Sequence, residues 1–203
     1  MIAVFHRSNL VTYANIAVAT LGVVLVVSGL VEPGWAVACL VVAGVCDLFD
    51  GTFARRFERT AHQRAIGVQL DSLADVVGFG ALPCAIAAAL GGWVWVCAAV
   101  GTMYTIAAVS RLAFFDVQAS PDRPVTCYHG LPVTSSALIL PALWLTARWT
   151  GWSEAWLWTG GMVLLAICFV LDVRVGKPRG VVLWTFAVIA AGFVGAVIWE
   201  TVR

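Results

Sequence analysis

Seven apolar stretches follow one another along this chain, separated only by short polar breaks. They run roughly Asn9–Val31, Gly34–Ala54, Val68–Leu90, Val94–Phe115, Pro132–Ala147, Ala155–Leu171 and Val181–Trp199. A helix needs about 20 apolar residues to cross the hydrocarbon core of a bilayer, and most of these stretches are close to that length. The balance of residues points the same way. Of 203 residues, 62% are hydrophobic and 11% charged, with a mean hydropathy of +0.95. Soluble domains carry about 25% charged residues, so this chain cannot clothe a globule in polar groups. The expected fold is an all-α integral membrane protein, a polytopic bundle of about seven transmembrane helices. The fifth stretch is short and contains Pro141, which leaves six to eight spans compatible with the pattern. Residues 1–203 read as a single domain.

Leu30–Gly34, Gly91–Gly92, Gly151–Glu154 and Gly176–Gly180 read as the connecting turns. Arg7 precedes the first apolar run, but no small-x-small cleavage pattern ends it, so that run reads as a retained first helix. If the N-terminus is cytoplasmic, the inner loops hold Arg7, Arg55, Arg56, Arg59, Arg64, Arg111, Arg123, Arg174, Lys177 and Arg179. The outer side then holds only Arg148 and Arg203 of the 12 basic residues, a positive-inside distribution. Trp35, Trp93, Trp95, Trp144, Trp149, Trp152, Trp156, Trp158 and Trp199 fall near the outer ends, where tryptophan favours the interface. Only Trp184 falls near the inner side. Both patterns agree on a multi-pass protein of the cell membrane with its C-terminus outside. A net charge of +1 without a basic tail gives no footprint for nucleic acid. The six cysteines form no CxxC pair, so they read as small apolar packing residues rather than a zinc site or a disulfide framework.

Against this apolar background, Asp47, Asp50, Asp71 and Asp75 stand at the inner edges of the second and third stretches. Aspartate within a membrane segment costs about 2.5–3.5 kcal/mol even on mild insertion scales. Asp47 and Asp50 are three apart and Asp71 and Asp75 four apart, so on helices each pair shares a face. The two helices, joined by a loop of about a dozen residues, are expected to be antiparallel neighbours with their carboxylates facing. Such a cluster repels itself unless a cation intervenes. Oxygen donors without histidine favour a hard ion, Mg²⁺ or Mn²⁺, over zinc. Gly51, Ala54 and Gly67 keep space beside the carboxylates, and Arg55 lies one helical turn beyond Gly51. Taken singly, the small residues would be ordinary packing devices. Together with the aspartates and the arginine they make a site for a metal-bound diphosphate.

The pattern Asp47-x2-Asp50-Gly51-x2-Ala54-Arg55, eleven residues, then Gly67-x3-Asp71-x3-Asp75 resembles the signature of the CDP-alcohol phosphotransferase family at all eight positions. That resemblance implies two divalent metals held by Asp47, Asp50, Asp71 and Asp75, with Asp75 also the general base. It further implies that Gly51, Ala54, Arg55 and Gly67 border the CDP moiety. The start of the first span, including Asn9 and Thr12, lines the nucleotide, and Arg64 is within a turn of Gly67. A homodimer is also implied. The segments LDSLADVVGFGALP, RLAFFDVQ and YHGLPVTSSA are similar to those of membrane-embedded phosphatidylserine synthases, with Asp116 standing where asparagine is common.

The activity implied is transfer of a phosphatidyl group from CDP-diacylglycerol to L-serine, giving phosphatidylserine and CMP. Serine carries a carboxylate, for which Arg111 is the candidate partner. Thr134 and Ser135 are candidate hydroxyl contacts. Glycerol 3-phosphate or inositol phosphate as acceptor, or an archaeal-type lipid donor, are close variants of the same chemistry. A divalent-cation transporter is the rival from another class, and it would place carboxylates near the midplane on broken helices.

Overall fold

A computed structural model describes residues 5–118, 127–129, 131–171, 174–176 and 181–203. Among them the chain forms seven helices: α1 Leu10–Ser28, α2 Gly34–Ala54, α3 Ala61–Ala89, α4 Val94–Gln118, α5 Ser136–Thr150, α6 Glu154–Val170 and α7 Val181–Val202. The architecture is the all-α polytopic bundle that the hydropathy implies. The first four helices are each long and apolar enough to cross a membrane. Helices α5 and α6 have 15 and 17 residues, roughly 22–26 Å at 1.5 Å per residue. A two-stranded antiparallel ribbon pairs β1, Cys127–His129, with β2, Arg174–Gly176; no alternating pattern in the sequence announces it. Arg123, Lys177 and Arg179, which entered the charge count above, lie outside the described residues, as do the side chains of Arg174 and Trp184.

The helix limits follow local chemistry. Gly29 and Gly151 end α1 and α5 in the left-handed region, at φ 64° and 74°, where glycine has no steric penalty. Helix α3 starts at Ala61 rather than Val68. Thr60 and Gln63 form a reciprocal capping box there, which starts the helix ahead of the apolar run. The link from α2 to α3 is therefore residues 55–60, half the length expected. Pro141 does not stop the fifth helix, which begins later than expected, at Ser136, and runs on to Thr150.

Inside α3, residues Val76–Ala81 form a π-turn. Pro83 accounts for it: it has no N–H for the carbonyl of Phe79, and its ring crowds that turn. Tyr104 of α4 replaces the missing donor, its hydroxyl donating to the Phe79 carbonyl over 2.7 Å. Tyr104→Phe should leave that buried carbonyl unsatisfied, a destabilisation of about 1–3 kcal/mol. A lowered melting temperature in detergent is the readout, and an unchanged one would contradict the assignment.

Helix α1 packs on α2 and α3, α2 also on α5 and α7, and α4 on α3 and α6. Where α2 crosses α5, a Cβ on Gly44 would stand 2.5 Å from the Cβ of Ala137, so only glycine permits this approach. The core centres on Leu40, Phe79, Ile86, Leu140, Trp144 and Trp158. Two tryptophans assigned to the interface are thus interior. The indole of Trp144 donates to Glu154 Oε2 at 2.7 Å and that of Trp158 to the Pro83 carbonyl at 3.0 Å. Satisfying the N–H is what allows an indole to be buried. Trp93, Trp95, Trp149, Trp152, Trp156 and Trp199 are exposed, as interfacial residues should be.

Candidate metal and diphosphate site

The four aspartates meet at one end of the α1–α2–α3 wedge. Asp47 and Asp50 come from the last two turns of α2, and Asp71 and Asp75 from the middle of α3. Carboxylate oxygens of Asp47, Asp71 and Asp75 lie within 4.8 Å of one another. Asp50 sits beside this trio, its carboxyl group against that of Asp71. It is held by Thr12 of α1, whose hydroxyl donates to Asp50 Oδ2 at 3.3 Å. Asp75 is buried, and Asp47, Asp50 and Asp71 are half-buried. Asp71 Oδ1 and Asp75 Oδ1 are both buried without a hydrogen-bond partner. None of the four pairs with a cation among the described residues.

This donor set fits hard divalent ions. All the donors are carboxylate oxygens, they converge, and two buried oxygens have no hydrogen-bond partner among the described residues. Leaving three carboxylates this close uncompensated would be strongly unfavourable.

Of the residues expected to border a CDP group, Thr12 is bonded to Asp50 and Gly51 follows Asp50 directly in α2. Gly51 is exposed at the end of α2, and a Cβ there would meet only Arg55 Nη1, at 3.7 Å. Arg55 is exposed and donates to Thr52 Oγ1 at 3.1 Å. Ala54 is the last, half-buried residue of α2. A Cβ on Gly67 would stand 3.4 Å from Asn9 Oδ1 and 3.5 Å from Arg59 Nη1. Gly67 therefore lies against the Asn9 and Arg59 side chains. Arg64 is exposed on the first turn of α3.

Residues 5–171 match the family model for CDP-alcohol phosphatidyltransferase. The chain belongs to the CDP-alcohol phosphatidyltransferase family. Family members are generally dependent on divalent metals, in keeping with the donor set. Among curated relatives, a CDP-diacylglycerol–serine O-phosphatidyltransferase of Helicobacter pylori is 32% identical over 145 residues, 68% of this chain and 59% of that protein. One from Mycobacterium tuberculosis is 30% identical over 141 residues, 66% of this chain and 46% of that protein. An archaetidylserine synthase of Methanothermobacter thermautotrophicus is 26% identical over 172 residues, 84% of this chain and 69% of that protein. The chain thus spans about half the length of the serine transferases it matches.

Within this family frame, two contacts carry no signal in the sequence. His6 Nδ1 accepts from the Ser8 backbone N–H at 3.2 Å, and the Ser8 hydroxyl donates to Asn9 Oδ1 at 3.1 Å. The pair fixes the turn Arg7–Asn9 and holds Asn9 Oδ1 beside Gly67. Arg59, which by sequence reads as a solvated loop charge, flanks Gly67. A reversal of chain direction puts it there, and sequence spacing alone does not report such a reversal.

Of the residues expected to meet the acceptor, Arg111 is buried in α4 with its guanidinium over the Phe115 ring, 5.2 Å from the centroid. Asp116, one turn further, accepts a hydrogen bond from Ser72 at 2.9 Å, tying α4 to the residue beside Asp71. Thr134 is half-buried in the 3-10 turn Val133–Ser135. The Ser135 hydroxyl donates to the Pro132 carbonyl at 2.6 Å, so it is available to a ligand only as an acceptor. His129 has its backbone in β1 and its side chain lies outside the described residues.

Proposed function

We propose that the protein transfers a phosphatidyl group from CDP-diacylglycerol to the hydroxyl of L-serine, releasing CMP. The observation that carries this is the carboxylate cluster, with its orphaned oxygens, next to Gly51 and Arg55 on α2 and to the Asn9–Gly67 contact. The serine transferases among the relatives support the acceptor. Asp47, Asp50, Asp71 and Asp75 would hold two divalent ions, Mg²⁺ or Mn²⁺. When bound, such ions neutralise diphosphate charge and make CMP a better leaving group. Arg55, Arg59 and Arg64 draw the phosphates to the site, and Gly51 and Gly67 let them approach the helix backbone. Asn9 and Thr12 border the nucleotide. Asp75 accepts the proton of the serine hydroxyl at a carboxylate oxygen as that hydroxyl attacks the β-phosphorus. The new serine O–P bond forms while the bond from phosphorus to the bridging oxygen breaks, and that oxygen leaves with CMP. Holding both substrates in line supplies much of the rate.

Arg111 is the acceptor's cation partner in this reading, and Thr134 and Ser135 lie on the approach. Arg111→Ala should raise the KM for serine at least about tenfold, a loss of roughly 1.4 kcal/mol or more, with a smaller change for the lipid. An unchanged serine KM would remove it from the acceptor site. The active site and N-terminus would face the cytoplasm of the cell membrane, with residues 1–203 acting as one domain and the protein as a homodimer. Lipid extraction after incubation with CDP-diacylglycerol, serine and Mn²⁺ tests the function. Phosphatidylserine is the expected product, and a lipid without the serine headgroup would overturn the assignment. The long match to an archaetidylserine synthase favours one second reading, the same transfer from an ether-linked archaeal donor.

A further inference from the structure

Asn15 is buried in α1, 1% exposed, and neither its Oδ1 nor its Nδ2 has a hydrogen-bond partner. Native structures rarely leave both ends of a buried amide unmatched, and such exceptions call for an explanation. Asn15 completes a row on one face of α1. Asn9 lies beside Gly67, Thr12 is bonded to Asp50, and Asn15 follows one turn deeper. Below it the wedge is closed by small apolar groups. A Cβ on Gly78, in the π-turn of α3, would stand 3.3 Å from Asn15 Oδ1, 3.8 Å from the Ala19 Cβ and 3.9 Å from the Ala43 Cβ. No polar partner is offered from that side. In the other direction lie Asp47, one turn along α2 from Ala43, and on α3 Asp75, one turn from Gly78, with Asp71 a further turn on; Asp71 Oδ1 and Asp75 Oδ1 have no hydrogen-bond partner among the described residues.

We propose that Asn15 is a positioning residue of the metal site, supporting from the membrane side what Asp47, Asp71 and Asp75 bind. This rests on the reading of that cluster as a divalent-cation site. The ligand chemistry that suits a carboxamide at this depth is the retained water shell of a hard cation. Oδ1 would accept from a water of that shell, and Nδ2 would reach the carboxylates through a bridging water rather than directly. Gly78 is what lets the amide sit there, since any side chain at 78 would press on Oδ1. The π-turn sets that glycine against α1, which gives the turn a purpose next to the site.

The test uses the purified whole chain in detergent, with Asn15→Leu and Asn15→Ser. Leucine keeps the volume and deletes both polar atoms; serine is smaller and keeps one. The reading is the Mn²⁺ concentration that gives half the maximal thermal stabilisation, without any substrate. For Asn15→Leu this concentration should rise about 10–100-fold, while the melting temperature without metal is equal to or above that of the wild type. Asn15→Ser should fall between the two. Half-maximal concentrations within twofold of the wild type in whichever variants fold would overturn the proposal and leave the aspartate site standing. A wild-type protein with no response to Mn²⁺ would overturn the metal reading and this one with it. Serine transfer plays no part in the measurement, so failure of the acceptor assignment leaves the result unaffected.

Discussion

Asp75→Asn is expected to abolish phosphatidyl transfer, by about a thousandfold or more, while CDP-diacylglycerol binding stays detectable. The substitution keeps the shape of a side chain that is only 7% exposed and removes its ability to take a proton. An unassisted serine hydroxyl is a poor nucleophile, so the loss should fall on kcat rather than on lipid KM. Folding should not suffer. Asp75 lies within 4.8 Å of two other carboxylates, and a neutral amide there relieves repulsion. The melting temperature without metal should therefore hold or rise, which separates a chemical defect from a damaged protein. Near-normal turnover of this variant would remove Asp75 as the base.

Stripping divalent cations is expected to have an effect as large. After exhaustive chelation, CMP release from CDP-diacylglycerol should fall to background, and added Mg²⁺ or Mn²⁺ should restore it. The physical reason is the same crowding of carboxylates, with two buried oxygens that no group among the described residues satisfies. Without cations the cluster also repels the diphosphate it is meant to hold. Thermal stability should fall with chelation and recover with the ion, since binding to the folded state alone stabilises it by mass action. Full activity in the chelated protein would contradict the reading of the cluster.

Much of the fold is legible in the sequence because the membrane constrains it so tightly. Apolar length fixes where helices can lie, and α1, α2 and α4 follow those stretches closely. Aspartates among such residues demand a partner, so Asp47, Asp50, Asp71 and Asp75 stand out from the sequence alone. Signals that depend on another segment are harder to read. The capping box of Thr60 and Gln63 is local, yet the polar first turn of α3 masks it as a loop. Trp144 and Trp158 look interfacial by position, and become interior because Glu154 and the Pro83 carbonyl take their indole N–H groups. Pro83 signals a helix defect, but that it yields a π-turn closed by Tyr104 follows only from the packing of α4. Asn9, Thr12 and Asn15 recur every three residues in an otherwise apolar helix. That periodicity does not by itself single out Asn15, whose unmatched amide, like the placement of Arg59 and the Ser72–Asp116 bond, is seen only in the folded chain.

The most direct measurement is CMP release by the purified 203-residue chain from CDP-diacylglycerol and Mn²⁺, with serine, glycerol 3-phosphate and inositol phosphate each supplied alone. Serine should drive metal-dependent CMP release at least about tenfold above either phosphorylated alcohol, a selectivity of roughly 1.4 kcal/mol or more. Release driven by glycerol 3-phosphate or inositol phosphate and not by serine would contradict the acceptor assignment. No CMP with any alcohol, from a protein that still binds Mn²⁺, would contradict the transferase reading itself.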